Sequence, residues 1–365
     1  NITNGPAKFA NLILEINRRY PEHQVHVLTE DAAGPHPIYP GHVHRVHLRI
    51  PALLKPLGQI LRMFQYYRRV KELDQAHAFD VLVYNNAFTG LYAALVSRRP
   101  TVGMINDEKN LTAGLGNFTP GPRWLKRFAF RYLEKLSARR HAHVITNSDY
   151  LTAKVRAAYA LPPAKVSRLY KAVDLRAIPY AATRPCGDPV RILFVKADYY
   201  IGGLDVLVEA LRRLPHQRFR LTVVGPEKQF EKNIYALCAL AGNAESHYLG
   251  AQPQAAVFRH LLEHDIFCVP SRSEALGVAN IEALASGIPV VSTRVGGIPE
   301  VMDYGNNGWL TEAGNAADLA AAIGRCIGNP EERAAKGASG KAFVGRFDKE
   351  QMLQHFLTIL QRVCG

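Results

Sequence analysis

At 365 residues the chain is too long for one ordinary hydrophobic core, so two domains are expected. An apolar content of 48% with regular periodicity excludes a disordered chain, and no apolar run approaches the length of a bilayer span. The net charge of +14 is unevenly placed: residues 1–170 hold 24 Lys and Arg against 11 Asp and Glu, and residues 171–365 hold 21 against 20.

In chain order, residues 7–19 carry apolar positions at helical period and lead through Pro21 into a strand at 25–28. Residues 43–48 alternate and read as a second strand. Residues 53–73 form an amphipathic helix with Arg62, Arg68, Arg69 and Lys71 beside Leu61, Phe64, Tyr66 and Tyr67. A buried-type strand at 80–84, a helix at 87–97 and a strand at 101–105 follow, the last ending in Asn106-Asp107. Residues 123–140 are a strongly basic helix carrying Trp124, Phe128, Phe130 and Tyr132. A strand at 143–146 then turns through Asn147-Ser148 into another helix. Strands alternating with helices predict a parallel, doubly wound sheet.

Residues 171–189, with Pro179, Pro185, Gly187 and Pro189, read as an interdomain linker. A second series starts with a strand at 190–196, a helix at 205–214, a strand at 220–224 and a helix at 230–241. A strand at 265–269, a helix at 278–286, a strand at 289–292 and helices at 315–327 and 349–363 complete it.

The helix at 278–286 is apolar nearly all round: Val278, Ala279, Ile281, Ala283, Leu284 and Ala285 leave no solvated face, which predicts burial. Glu282 sits in its middle, and a buried carboxylate needs a protein donor or the hydroxyls of a ligand. The free N–H groups of Gly277, Val278 and Ala279 open the helix and favour an anion, typically phosphate. Glu274 in the preceding loop, the helix N-terminus and Glu282 thus lie along one line, which suits a sugar, a diphosphate and a ribose in that order.

Five scattered cysteines (Cys186, Cys238, Cys268, Cys326 and Cys364) are odd in number and lack metal spacing, which fits a reducing, cytoplasmic compartment. The fourteen histidines, including His42, His44 and His47, form no constellation with carboxylates or cysteines, so no metal site is expected. The glycosylation-type matches at Asn1, Asn110 and Asn117 come without a secretory signal and are read as chance. The basic first half implies an anionic partner. Membrane-surface docking through Trp124 or Phe128 is expected over nucleic acid, since no RNP, KH or helix-turn-helix pattern is present.

Glu274 and Glu282 are separated by seven residues, within Pro-Ser-x-x-Glu…Gly…Glu-Ala-x-Ala-x-Gly-x-Pro-Val-Val, and Gly296-Gly297-Ile298-Pro299-Glu300 and Asn307-Gly308 continue the pattern. This resembles the signature of retaining, family 4 type glycosyltransferases of GT-B fold. The resemblance implies an α/β chain of two Rossmann-like, doubly wound parallel-sheet domains facing a cleft. Residues 1–175 would bind an acceptor, 176–346 a nucleotide sugar, and the helix in 347–365 would pack back across both. A first strand before Asn4-Gly5-Pro6 is expected to be missing.

The resemblance implies transfer from a UDP- or GDP-sugar to a glycan or lipid-linked acceptor with retention, without a tightly bound cofactor or metal. It places Glu274 beside the donor sugar, Glu282 on the ribose, and Gly5 and Lys8 near the diphosphate. Asn106 stands where many relatives carry histidine, and Asp107 is the candidate to polarise an acceptor hydroxyl. Ser148 matches a serine of the family, though such a residue is commonly a helix cap. The chain departs from the pattern at Lys196-Ala-Asp-Tyr-Tyr-Ile-Gly202-Gly203. Ala197 and Gly202 replace the cations that meet the departing diphosphate, while Lys196 is one residue early and by strand alternation faces the other side. Lys196, Lys228 or Lys8 would have to substitute. A non-catalytic nucleotide-sugar-binding subunit and a GT-B epimerase or phosphorylase remain as alternatives.

Overall fold

A computed structural model describes residues 5–30, 38–39, 41–48, 50, 58–108, 111, 122–183 and 185–365. The chain divides into one unit of Asn1–Lys171 with Glu350–Gly365 and a second of Ala172–Lys349. Asn1, Asn110 and Asn117, positions 53–57 of the predicted helix, and the side chains of Lys8 and Trp124 lie outside what is described.

In the first unit, β1 (Val27–Thr29) and β2 (Val43–Arg45) pair in parallel with each other. β3 (Leu82–Tyr84), β4 (Thr101–Ile105), β5 (His143–Thr146) and β6 (Val166–Arg168) form a separate parallel sheet in that order. All five residues of β4 are buried, as a central parallel strand covered on both faces must be, and hence its apolar character after Thr101. Ser148 caps the helix Asp149–Tyr159 by accepting the Leu151 N–H at 3.1 Å, so this serine is structural. Leu151, Val155 and Tyr159, spaced four apart on that helix, are fully buried against Val144 and Val166. Each such aliphatic side chain contributes roughly 1.5–3 kcal/mol. The last helix, Lys349–Cys364, sets Phe356 edge-on to Phe9 at 5.8 Å and Glu350 2.9 Å from Arg19.

The second unit is one six-stranded parallel sheet. Its strands are β7 (Val190–Val195), β8 (Phe219–Val224), β9 (Ala244–Gly250), β10 (Ile266–Val269), β11 (Val290–Thr293) and β12 (Trp309–Thr311). They lie in the order β12-β11-β10-β7-β8-β9. Chain order therefore reverses between β7 and β10, and in open α/β sheets such a reversal opens a crevice beyond the carboxyl ends of the strands.

Several expectations need correction. Gly5 does not sit in a loop but begins the helix Gly5–Leu14, which is followed by the short helix Ile16–Arg19. Residues 171–189, read as an interdomain linker, start at the boundary between the units and lie packed on the second: Val173 bridges to Asp348, the Ala181 N–H donates to the Ser286 carbonyl at 3.0 Å, and Thr183 Oγ1 donates to Gly287 O at 2.9 Å. The prolines prevent regular structure there without preventing packing. β6, β9 and β12 and the helices Gln254–Glu263 and Pro330–Phe343 were not anticipated. β6 and β12 are three residues long, and β9 is an edge strand whose residues are nearly all half-buried, so neither alternation nor an apolar run marks it.

Candidate functional site

The residues that follow β7 and β10 meet at the reversal point. Lys196 is the first residue after β7, and its Nζ donates to Glu274 Oε2 in the loop after β10. Lys196 thus faces the glutamate, on the same side as Phe194, since both side chains lie against Gly202. The other carboxylate oxygen accepts the Ala275 N–H at 3.1 Å. Both side chains remain about a quarter exposed, at 23% each, so the pair is open to a ligand.

Gly202 is coupled to this arrangement. A Cβ there would fall 2.6 Å from Phe194 Cζ and 2.9 Å from Lys196 Cγ, so the Lys196 stem occupies the space that a side chain at 202 would need. On the other flank Gly296, at φ +57°, lies against the Glu274 backbone, where a Cβ would come within 1.5 Å of the Glu274 carbonyl. Only glycine allows that approach, and the Gly296-Gly297 turn thereby fixes the Glu274 loop.

Arg272, passed over in the sequence, ties this loop to the one after β7. It makes a two-pronged pair with Asp205 at 2.7 and 2.6 Å, donates to Tyr200 O at 2.6 Å and stacks 4.4 Å from the Tyr200 ring. The Arg272 hydrogen bond holds the Asp205 carboxyl below its usual range. Thr293 Oγ1 donates to Ser271 O at 2.7 Å and Ser292 Oγ to Val269 O at 2.9 Å, satisfying carbonyls where β10 runs into the loop.

The helix Val278–Ser286 starts after Gly277, whose φ is +92°. Its residues are buried except on one strip, where Val278, Ala279 and Glu282 are half-buried. Glu282 is therefore not enclosed, as its apolar neighbours suggested; it accepts from Gln254 Nε2 at 3.0 Å on a partly open face. Gln254 begins a helix 28 residues upstream and could not be found from spacing. Lys228 is exposed in a short turn beside a depression of about 560 Å³ beyond the ends of β8 and β9, lined by Glu227, Tyr248 and Gly250. A larger depression of about 630 Å³ lies where β7 begins, far along the strands from Glu274.

In the first unit three asparagines join the carboxyl ends of β3, β4 and β5. Asn106 Nδ2 donates to Asn85 O at 2.8 Å, and Asn147 Nδ2 donates to Asn106 O at 2.8 Å. Asn106 is half-buried in this ladder and Asp107 beside it is exposed. Glu108 accepts from Lys154 at 2.6 Å and Tyr150 OH at 2.9 Å. His141 is a satisfied core residue: its Nε2–H donates to Ala87 O at 3.0 Å and Nδ1 accepts from Thr101 Oγ1 at 2.9 Å. Burial lowers its pKa to about 4.

The remaining histidines are not as scattered as the sequence suggests. His26, His44 and His77 bring one ring nitrogen each within 4.8 Å of the other two. Burial, then the neighbouring His77, His42 and His44, lower the His26 pKa to about 4.

Residues 10–177 match the model described as Glycosyltransferase Family 4, and residues 182–343 match Glycosyl transferases group 1. Sucrose-phosphate synthase from Thermosynechococcus elongatus is similar in fold with a TM-score of 0.80, 17% identity, and coverage of 99% of this chain and 94% of that one. HepE from Anabaena, solved with UDP and glucose, has a TM-score of 0.71, 20% identity, and coverage of 99% and 98%. The amylovoran biosynthesis glycosyltransferase AmsK from Erwinia amylovora is 38% identical over 145 residues, 37% of this chain and 35% of that protein. The matches span about half or less of the length of the curated relatives. Fold and matched domains together give the chain the GT-B fold, built of glycosyltransferase-type domains. More particularly, the chain carries a family 4 domain followed by a group 1 domain.

Among the described residues no helix is long and apolar enough to cross a membrane.

Proposed function

We propose that this chain transfers a sugar from a nucleotide-diphosphate sugar to an acceptor hydroxyl with retention of configuration. The second unit would bind the donor and the first the acceptor. The observation that carries the reading is the convergence of Lys196, Glu274 and the Glu282 strip at the reversal point of the second sheet. HepE, similar in fold, is described with UDP and glucose, which favours a UDP-sugar over a GDP-sugar.

In this reading Glu282 accepts the ribose hydroxyls, and the N–H groups of Gly277, Val278 and Ala279 meet the diphosphate. Glu274 orients the sugar and Lys196 neutralises the leaving diphosphate. Lys196 takes the place of the cations missing at Ala197 and Gly202. The acceptor oxygen forms its bond to the anomeric carbon on the face that the diphosphate leaves. The acceptor proton passes to the departing diphosphate oxygen, so no protein nucleophile is required. Asn106 and Asp107 would contact the acceptor, a glycan or lipid-linked glycan. The basic helices, with exposed Phe64, Phe128 and Tyr132, would dock on the inner face of an anionic membrane.

Titration calorimetry with UDP, GDP and ADP against wild type and Glu282→Ala tests the donor site. One nucleotide should bind and the variant should lose it; a folded protein that binds none overturns the reading. Binding without turnover, with an anomer-resolved product assay as readout, would instead favour a non-catalytic subunit.

A further inference from the structure

Three imidazoles from separate elements of the first unit face one another. His26 immediately precedes β1, His44 is the middle residue of β2, and His77 ends the helix Gly58–His77. His26 Nδ1 and His44 Nε2 are 2.9 Å apart, their rings stack at 5.2 Å and 16°, and the His77 ring lies 4.1 Å from that of His26. Among the described residues the hydrogen bond between His26 and His44 is the only one these rings make, and His77 meets the other two through ring contacts. His141 shows the contrast, since a histidine serving only as core has a carbonyl and a hydroxyl on its two nitrogens. His42, nearby, has Nδ1 on Val25 O at 3.2 Å.

We propose that His26, His44 and His77 form a binding site for a divalent late first-row cation, Zn²⁺ foremost, with water completing a tetrahedron. Nitrogens bound to one zinc at the usual bond length lie about 3.3 Å apart, so small ring rotations close the present spacing onto an ion. An all-imidazole set selects zinc, nickel or copper and disfavours calcium and magnesium, which take oxygen ligands. His26 and His44 are half-buried while His77 is exposed, leaving a side open for entry. Arg69, the cation that acts on His44, is paired with Glu72 at 2.7 Å. The role is a clamp. Among the described residues β1 and β2, of three residues each, pair only with each other, an arrangement marginal by itself. A bound ion would tie both to the end of the long helix.

The test uses the full chain, stripped with chelator, in a Cys364→Ser background so that the exposed thiol does not compete. Calorimetric titration with Zn²⁺ should show one site per chain, and Co²⁺ should give the visible bands of a tetrahedral complex. His77→Ala, at an exposed position compatible with folding, should weaken binding by roughly a hundredfold or more, beyond the range of an outer-shell partner. It should also abolish the rise in melting temperature that Zn²⁺ gives the parent. Absence of stoichiometric binding, or equal affinity in His77→Ala and the parent, overturns the proposal.

Discussion

The ammonium of Lys196 rests on the carboxylate of Glu274, across the seam where β7 and β10 lie side by side. The contact joins two loops distant in sequence. It also accounts for a glycine: with the Lys196 stem against Gly202, the site has room for one cation at this place, and the chain supplies it from 196. In the resting state the pair keeps both charges satisfied. A diphosphate would draw the ammonium away and leave Glu274 for a neutral sugar hydroxyl, which a carboxylate accepts well.

If Lys196 meets the leaving group, Lys196→Ala should lower kcat by roughly a hundredfold or more, the range for loss of one charge-stabilising donor. The side chain is partly exposed, so folding should be unaffected. Gly202→Lys alone should be destabilising by about 1–3 kcal/mol through overpacking against Phe194 and the Lys196 stem. Lys196→Ala with Gly202→Lys should recover part of the lost rate, because truncation clears that stem. Steady-state kinetics with thermal melts on the three variants would decide; unchanged kcat in Lys196→Ala removes the lysine from the mechanism.

Gln254 holds Glu282 by one hydrogen bond at 3.0 Å on a partly open face. A positioning role predicts that Gln254→Ala raises donor KM by several-fold, on the order of one hydrogen bond's net worth, and leaves kcat near wild type. Glu282→Ala should raise it far more. An effect of Gln254→Ala on kcat with KM unmoved would show that Gln254 acts elsewhere.

How much of this was readable in the sequence depends on how far each feature reaches along the chain. The helix at 278–286 was found with its bounds, since Gly277 and Gly287 bracket it and its apolar residues are contiguous. The openness of Glu282 was not, because only the packing of the helix decides which strip meets solvent. Alternation puts Lys196 on the side of Phe194, but that the Glu274 loop comes to that side follows from the pairing of β7 with β10, which no local period shows. Gln254 and the three histidines lie beyond any local period and meet only through the topology.

Arg272 and Asp205 link the two loops at the reversal point, with 28% and 39% of their side chains exposed. That exposure screens the pair, so a double-mutant cycle should give a coupling of only about 1 kcal/mol in stability. The larger effect should be on catalysis, since Arg272 also holds the Tyr200 carbonyl and lies two residues before Glu274. Arg272→Ala should lower kcat/KM while Arg272→Lys, which keeps charge but not the fork, should recover little. Equal activity in Lys and Arg forms would argue for charge alone.

His141 in the first unit and His264 in the second are both buried, and burial lowers each pKa from 6.5 to about 4. His264 has its Nδ1–H on His260 O at 2.7 Å and Nε2 on Thr222 Oγ1 at 2.8 Å, so it too is built to be neutral. Between pH 6.5 and 4 the unfolded chain takes up a proton at each histidine that the folded chain refuses, so stability falls as pH falls through that window. The full loss is about 3 kcal/mol per histidine, reached near pH 4. Asp205, held low by Arg272, contributes stability present above its unfolded value and lost only at more acid pH, so the two effects separate. Urea melts at pH 7 and pH 4.5 should show a lower midpoint at the acid end, and His264→Gln should flatten the dependence in the transition of the second unit. Midpoints that stay constant from pH 7 to 4.5 would mean that the histidines titrate equally in both states.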